Sequence, residues 1–192
     1  MGRDKRFVQV GSETLIERSL TVLRGCFEQV CVVIAHDGEP LIAPVPVFRD
    51  LIPNCGSLGG LYTGLKHATT SFVFLAGCDM PFLHPQVIQR VVHRKAGVDI
   101  VMAAEENRVQ PTHAVYSQRC TPVIEEMLKE GHLRIQDLMK KPQIQCCLIS
   151  NDEFRDVDPL LRSFMNVNTP DELKRANELT SMIPIPDGSQ KT

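Results

Sequence analysis

Apolar and polar positions alternate between two patterns along the chain: short apolar runs of strand length, and longer stretches with the spacing of an amphipathic helix. The apolar runs predict strands at 30–35, 45–50, 72–77, 99–103, 112–116 and 145–149. The helical spacing predicts helices at 14–25, 57–67, 85–97, 121–131 and 134–139, and one that starts at 169. This alternation predicts an α/β fold in which a mostly parallel sheet has helices on both faces.

Helix-start residues support several of these boundaries. Thr14 and Glu17 have the spacing of a capping box, in which each side chain bonds the other residue's backbone N–H. Ser57 is expected to cap the second helix. Thr121 is expected to cap a later helix, with Pro122 at its first position.

Two carboxylates end predicted strands. Asp79 follows the apolar run 72–76, and Asp50 follows the run that starts at Val45. Asp50 leads into the glycine-rich turn 53–60. Because ligands of parallel α/β sheets bind outside the carboxyl ends of the strands, these features predict a site for a metal and a nucleotide.

Composition excludes several classes of protein. The 192 residues carry a net charge of -2, so no basic surface for nucleic acid or an anionic membrane is expected. No apolar stretch approaches membrane-spanning length and the first residues do not resemble a signal peptide, so we expect a cytoplasmic protein. We expect one domain at 1–182 and a disordered tail at 183–192.

Seven cysteines lie at scattered positions without C-x-x-C spacing, which indicates free, mostly buried thiols. His113 lies within a predicted strand, where a structural role is favoured over acid–base chemistry.

Five segments carry a family resemblance. They are Met1-Gly-Arg-Asp-Lys5, Asp50 with Gly56-Ser-Leu-Gly-Gly60, Cys78-Asp-Met-Pro81, Gln110-Pro-Thr112 and Phe164-Met-Asn-Val-Asn-Thr-Pro170. In this order the chain, from Met1 to about Ala176, resembles the molybdenum cofactor guanylyltransferases, a branch of the nucleotidyltransferases with a Rossmann-like fold.

The resemblance implies transfer of GMP from Mg-GTP to molybdopterin or molybdenum-molybdopterin, with release of pyrophosphate. It implies that Asp79 binds Mg²⁺ and takes part in catalysis, that Lys5 is catalytic and binds the phosphates of GTP, and that Asp50 contacts the nucleotide. Arg3 is expected to face phosphate. Asn166 and Asn168 are expected to contact the pterin-side substrate.

The chain also departs from the family pattern. A glycine-rich L-A-G-G-x-S-x-R segment precedes M-G-x-D-K in the family and supplies the first strand, and the given sequence starts after it. We therefore expect the first strand to be missing, leaving an unpaired edge on the strands that should flank it.

Two other interpretations stay open. One is a nucleotidyltransferase of the same fold that uses CTP, or that acts on a sugar phosphate. The other is an inactive paralogue that binds molybdopterin or contacts a molybdoenzyme chaperone.

Overall fold

The sequence folds into alternating strands and helices in a computed structural model that describes residues 5–105 and 108–181. The strands are β1 (Gln9–Val10), β2 (Glu13–Thr14), β3 (Val32–Ile34), β4 (Val47–Arg49), β5 (Phe72–Ala76), β6 (Ile100–Glu105), β7 (Arg108–Ser117) and β8 (Cys146–Ser150). The helices are α1 (Leu15–Cys26), α2 (Gly56–His67), α3 (Pro85–His93), α4 (Cys120–Lys129) and α5 (Pro170–Ser181). Arg3 and the tail predicted at 183–192 lie outside the described residues.

Three separate sheets form among the described residues. Strands β1 and β2 make an antiparallel hairpin, β3 and β4 make a parallel pair, and the other four strands make a sheet of order β5-β7-β6-β8. In that sheet β7 is antiparallel to both neighbours and β8 is parallel to β6, so only β7 is reversed. The α/β fold predicted from the sequence is confirmed.

Helices cover both faces of the four-stranded sheet. One face packs against α2 and α4 through a core that contains Leu61 and Ile124. The other packs against α3 and part of α1 through a core that contains Val87 and Phe154. Apolar side chains therefore alternate between two cores along each strand, which fixes strand register because a shift by one residue would exchange the faces.

The strands β3 and β5 do not pair with each other in the part of the chain that the structure describes. Helix α2 packs against both strands and so connects the two sheets. β5 therefore forms one edge of its sheet. The ring of Phe74 on this strand stacks on the ring of Phe27, with 5.6 Å between the ring centroids.

Two predicted helix caps are wrong. α2 begins at Gly56 after a turn in which Asn54 and Gly56 have positive φ, so Ser57 lies inside the first turn. α4 begins at Cys120, which places Thr121 and Pro122 within its first turn. The capping box of α1 is confirmed, because Glu17 N–H donates to the Thr14 hydroxyl and Thr14 N–H donates to the Glu17 carboxylate.

Within the described residues, none of the helices combines the length and the apolar character needed to cross a lipid bilayer.

Candidate functional site

Asp79 lies in the loop that follows the carboxyl end of β5 and is part-buried. Its backbone carbonyl accepts a 2.8 Å hydrogen bond from Val167 N–H. This bond holds the segment 166–168 beside the Asp79 loop, although the two are far apart in sequence. The structure thus brings the predicted metal ligand next to the predicted substrate segment.

Gly77 leaves room for the Asp79 carboxylate. A Cβ atom at Gly77 would lie 2.6 Å from Asp79 Oδ1 and 3.4 Å from the Thr112 side chain, and the first distance is shorter than real contacts allow. Gly77 N–H also donates to Thr112 C=O at 2.8 Å. The carboxylate therefore folds back over the end of its own strand and beside β7.

Lys5 joins this region from the start of the described chain. Its Nζ atom donates to Asn168 Oδ1 at 2.5 Å. The neighbouring Arg6 donates through Nη2 to the Glu39 carbonyl at 2.9 Å. The short helical turn at 5–7 therefore links the segment after β3 to the segment that contains Asn168.

Asn168 is held in place by the start of α5. The Glu172 carboxylate accepts hydrogen bonds from Asn168 N–H and Thr169 N–H, at 2.7 and 2.9 Å, and these bonds lower the pKa of Glu172. The Thr169 hydroxyl accepts from Glu172 N–H, so the two residues form a capping arrangement. Sequence reasoning missed this anchoring role, although the Thr-x-x-Glu spacing of a capping box is readable.

Asn166 lies on the same segment. Its Oδ1 atom is buried without a hydrogen-bond partner among the described residues. A buried acceptor without a partner has a free-energy cost that a bound donor would remove. The Oδ1 atom of Asn166 thus has no partner in the described structure, whereas that of Asn168 accepts a hydrogen bond from Lys5.

Asp50 directly follows the carboxyl end of β4, in the parallel pair of β3 and β4. Burial raises the pKa of its carboxyl, while the hydrogen bond from the Thr63 hydroxyl and the charge of His36 act in the opposite direction. Its oxygens lie near the positions that Cβ atoms would take at Gly59 and Gly60. The carboxylate thus lies against the first turn of α2 at ordinary contact distance, and Thr63 is a supporting residue that sequence reasoning missed.

The hydrogen bonds from Lys5 to Asn168 and from Val167 to Asp79 bring together Lys5, Asp79, Asn166 and Asn168. Asp50 lies at the end of a separate pair of strands.

The cysteines and His113 were the other candidates from the sequence, and their surroundings are as follows. Of the seven cysteines only Cys55 and Cys120 are buried and Cys31 is exposed, so the expectation of mostly buried thiols is wrong. His113 is buried between the rings of Phe74 and Phe164, at 5.0 Å from each, and burial lowers its pKa to about 4. Its two ring nitrogens have no hydrogen-bond partner in the described structure, so it is buried but not satisfied.

Comparisons with known proteins identify the family of the chain. The model of the MobA-like NTP transferase domain matches residues 1–145. The chain is 32% identical over 176 residues to a molybdenum cofactor guanylyltransferase of Desulfosudis oleivorans, covering 91% of this chain and 86% of that protein. It is 30% identical over 176 residues to a probable molybdenum cofactor guanylyltransferase of Pelotomaculum thermopropionicum, covering 92% and 85%.

Solved structures share the fold of this chain. The molybdopterin-guanine dinucleotide biosynthesis protein A of Archaeoglobus fulgidus superposes with a TM-score of 0.81 at 25% identity, covering 95% of this chain and 93% of that one. The 2-C-methyl-D-erythritol 4-phosphate cytidylyltransferase of Thermus thermophilus shares the fold, with a TM-score of 0.71 at 19% identity and coverage of 92% and 94%. The chain therefore belongs to the MobA-like NTP transferase family and is a nucleotidyltransferase.

Proposed function

We propose that this nucleotidyltransferase transfers GMP from GTP to molybdopterin or its molybdenum-loaded form. One observation supports the proposal above all: Lys5 and Asn168 lie beside the Asp79 loop. Lys5 Nζ donates a hydrogen bond to Asn168 Oδ1, and Val167 N–H donates one to the Asp79 carbonyl. A cation and a carboxylate at one strand end suit a reaction between phosphates. The names of the relatives supply the substrates.

The reaction joins two phosphate groups. An oxygen of the terminal phosphate of molybdopterin attacks the α-phosphorus of GTP, and a new P–O bond forms. The bond between the α-phosphorus and the bridging oxygen breaks, and pyrophosphate leaves with the electron pair. Because both reactants are anionic, the protein mainly positions them and neutralises charge.

Lys5 is proposed to neutralise phosphate oxygens of GTP. Its ammonium group is directed by a neutral amide, Asn168, rather than by a carboxylate, so its positive charge is not cancelled by this partner. Asn166 is proposed to bind the pterin-side substrate through its unpartnered carbonyl oxygen. Asp50 is proposed to accept a hydrogen bond from the nucleotide.

Asp79 is proposed to hold Mg²⁺. No group of three or more His, Cys, Asp or Glu side chains that could cage a metal is found in the described parts of the chain. This fits Mg²⁺, which is usually bound by one or two carboxylates together with waters and substrate phosphates. The space left by Gly77 for the Asp79 carboxylate is consistent with this role. When bound, Mg²⁺ would neutralise charge on the phosphates of GTP.

A nucleotide competition assay tests the proposal. Purified protein is incubated with molybdopterin, Mg²⁺ and equal amounts of GTP and CTP, and the dinucleotide products are separated by mass. We expect the guanine dinucleotide to predominate. A predominantly cytosine product would replace the proposal with a cytidylyltransferase, and binding of molybdopterin without turnover of either nucleotide would favour the inactive paralogue.

A further inference from the structure

A cavity lies on the face of the molecule that α1 covers. Its volume is about 590 Å³, which is within the range of pockets that bind small organic molecules. Its walls come from α1, from the segment 81–84 and from the loop 157–162, with Val22, Pro81, Phe82, Leu83 and Leu160 among the lining residues. None of Lys5, Asp50, Asp79, Asn166 and Asn168 lines it.

The charged groups at this cavity differ in how far they are already engaged. Arg18 donates to the carbonyls of Pro81 and Val10 and pairs with Glu13 at 3.4 Å. Asp158 accepts the backbone N–H groups of Arg162 and Ser163 with its two carboxylate oxygens. These side chains therefore act in holding the walls together.

Arg162 is the exception. Its guanidinium has no hydrogen bond or ion pair to any residue that the structure describes, and its Nε atom is buried without a partner. His84, which also lines the cavity, has a buried Nδ1 atom without a partner among the described residues. A guanidinium beside an apolar cavity favours a ligand whose carboxylate or phosphate it can bind with two parallel hydrogen bonds.

The exposure of Leu160 indicates that the ligand has an apolar part. This large hydrophobic residue lines the cavity, is 68% exposed and lies two residues before Arg162. Contact with a ligand would remove its apolar surface from water.

We propose that this cavity binds a small amphipathic anion, with its carboxylate or phosphate on Arg162 and its apolar chain against Phe82, Leu83 and Leu160. The cavity shares no lining residue with the proposed nucleotide site. Its occupancy is therefore measurable without GTP or molybdopterin.

Calorimetric titration of the full chain tests the proposal with octanoate, octyl phosphate and octan-1-ol as probes. We expect at least one of the two anions to bind about 10-fold or more tightly than the alcohol, because the neutral head cannot pair with Arg162. The tighter anion identifies the preferred head group. Equal binding of all three probes, or no binding of either anion at millimolar concentration, would overturn the proposal.

Two variants locate the site. Arg162→Gln should abolish the preference for the anion, whereas Arg24→Gln, at an exposed position of α1 that does not line the cavity, should retain it. Thr21→Trp, at the exposed rim, should block both the anion and the alcohol without removing Arg162. Unchanged anion binding in either Arg162→Gln or Thr21→Trp would show that the anion binds elsewhere and would overturn the proposal.

Discussion

Gly77 shows how an absent side chain sets the position of a functional one. Gly77→Ala would place a Cβ atom 2.6 Å from Asp79 Oδ1, so the carboxylate must move. We expect turnover to fall by ~10-fold or more, because small displacements of reacting groups are costly. Steady-state kinetics with GTP and molybdopterin measure this.

A matched glycine provides the control. A Cβ atom at Gly64, inside α2, would meet nothing within 4 Å. Gly64→Ala should leave turnover unchanged and raise the free energy of unfolding by about 0.5–1 kcal/mol. Wild-type turnover in Gly77→Ala would contradict the assigned position of Asp79.

Lys5 provides a second test at this scale. Lys5→Ala should lower kcat/KM for GTP by ~10-fold or more, since a hydrogen bond from a charged group contributes about 1.5–3 kcal/mol. Lys174→Ala, at an exposed position of α5, should have no effect. If both variants keep the wild-type kcat/KM, Lys5 does not contact the nucleotide.

At the residue scale, the sequence predicted the carboxylates that follow the strands but not the hydrogen bonds that position the candidate site residues. The bond between Lys5 and Asn168 spans 163 positions, and no local pattern predicts such a contact. The hydrogen bond from the Thr63 hydroxyl to Asp50 was not predictable for the same reason, because Thr63 belongs to the following helix. The anchoring of Asn168 by Glu172 is different, since a local motif encodes it.

At the scale of the elements, successive backbone N–H groups of the edge strand β5 point alternately towards β7 and away from it. Gly77 N–H donates to Thr112 C=O and Gln118 N–H donates to Ser71 C=O, so odd-numbered residues of β5 bond to β7. The N–H groups of the even-numbered residues, Phe72, Phe74 and Ala76, face the other edge.

Amide hydrogen exchange followed by NMR should reproduce this alternation. We expect slow exchange at Val73 and Leu75 and faster exchange at Phe72 and Phe74, because only the first two amides are bonded within the sheet. Equal protection at all four positions would mean that a further strand covers this edge.

The strand and helix order was predictable because each element has its own hydrophobic period. The reversed direction of β7 was not, since an apolar run has the same pattern in either direction. The hairpin of β1 and β2 was also missed, because two strands of two residues are too short for a period.

For the whole molecule, His113 makes stability depend on pH. Its pKa is lowered to about 4 by burial, against an unfolded value of 6.5, and the charge of Asp158 opposes this shift. The unfolded chain therefore binds more protons between these values, and stability is lost as the pH falls from 6.5 towards 4. Urea unfolding should show a loss of about 2 kcal/mol between pH ~7.5 and pH ~5.

Two variants separate His113 from other titrating groups. His113→Leu should remove most of this loss, whereas His132→Gln, at an exposed position, should retain it. The same pH dependence in His113→Leu would assign the effect to other groups.

The central claim is that Asp79 supports phosphoryl chemistry at the end of β5. Its most direct test is the rate of guanine dinucleotide formation by Asp79→Asn at saturating Mg²⁺. Asp152→Asn is the control, because Asp152 closely follows β8 at the opposite edge of the sheet. We expect a loss of ~100-fold or more in Asp79→Asn, since metal-assisted charge neutralisation supplies several kcal/mol, and no loss in Asp152→Asn. Turnover of Asp79→Asn equal to that of Asp152→Asn would contradict the account.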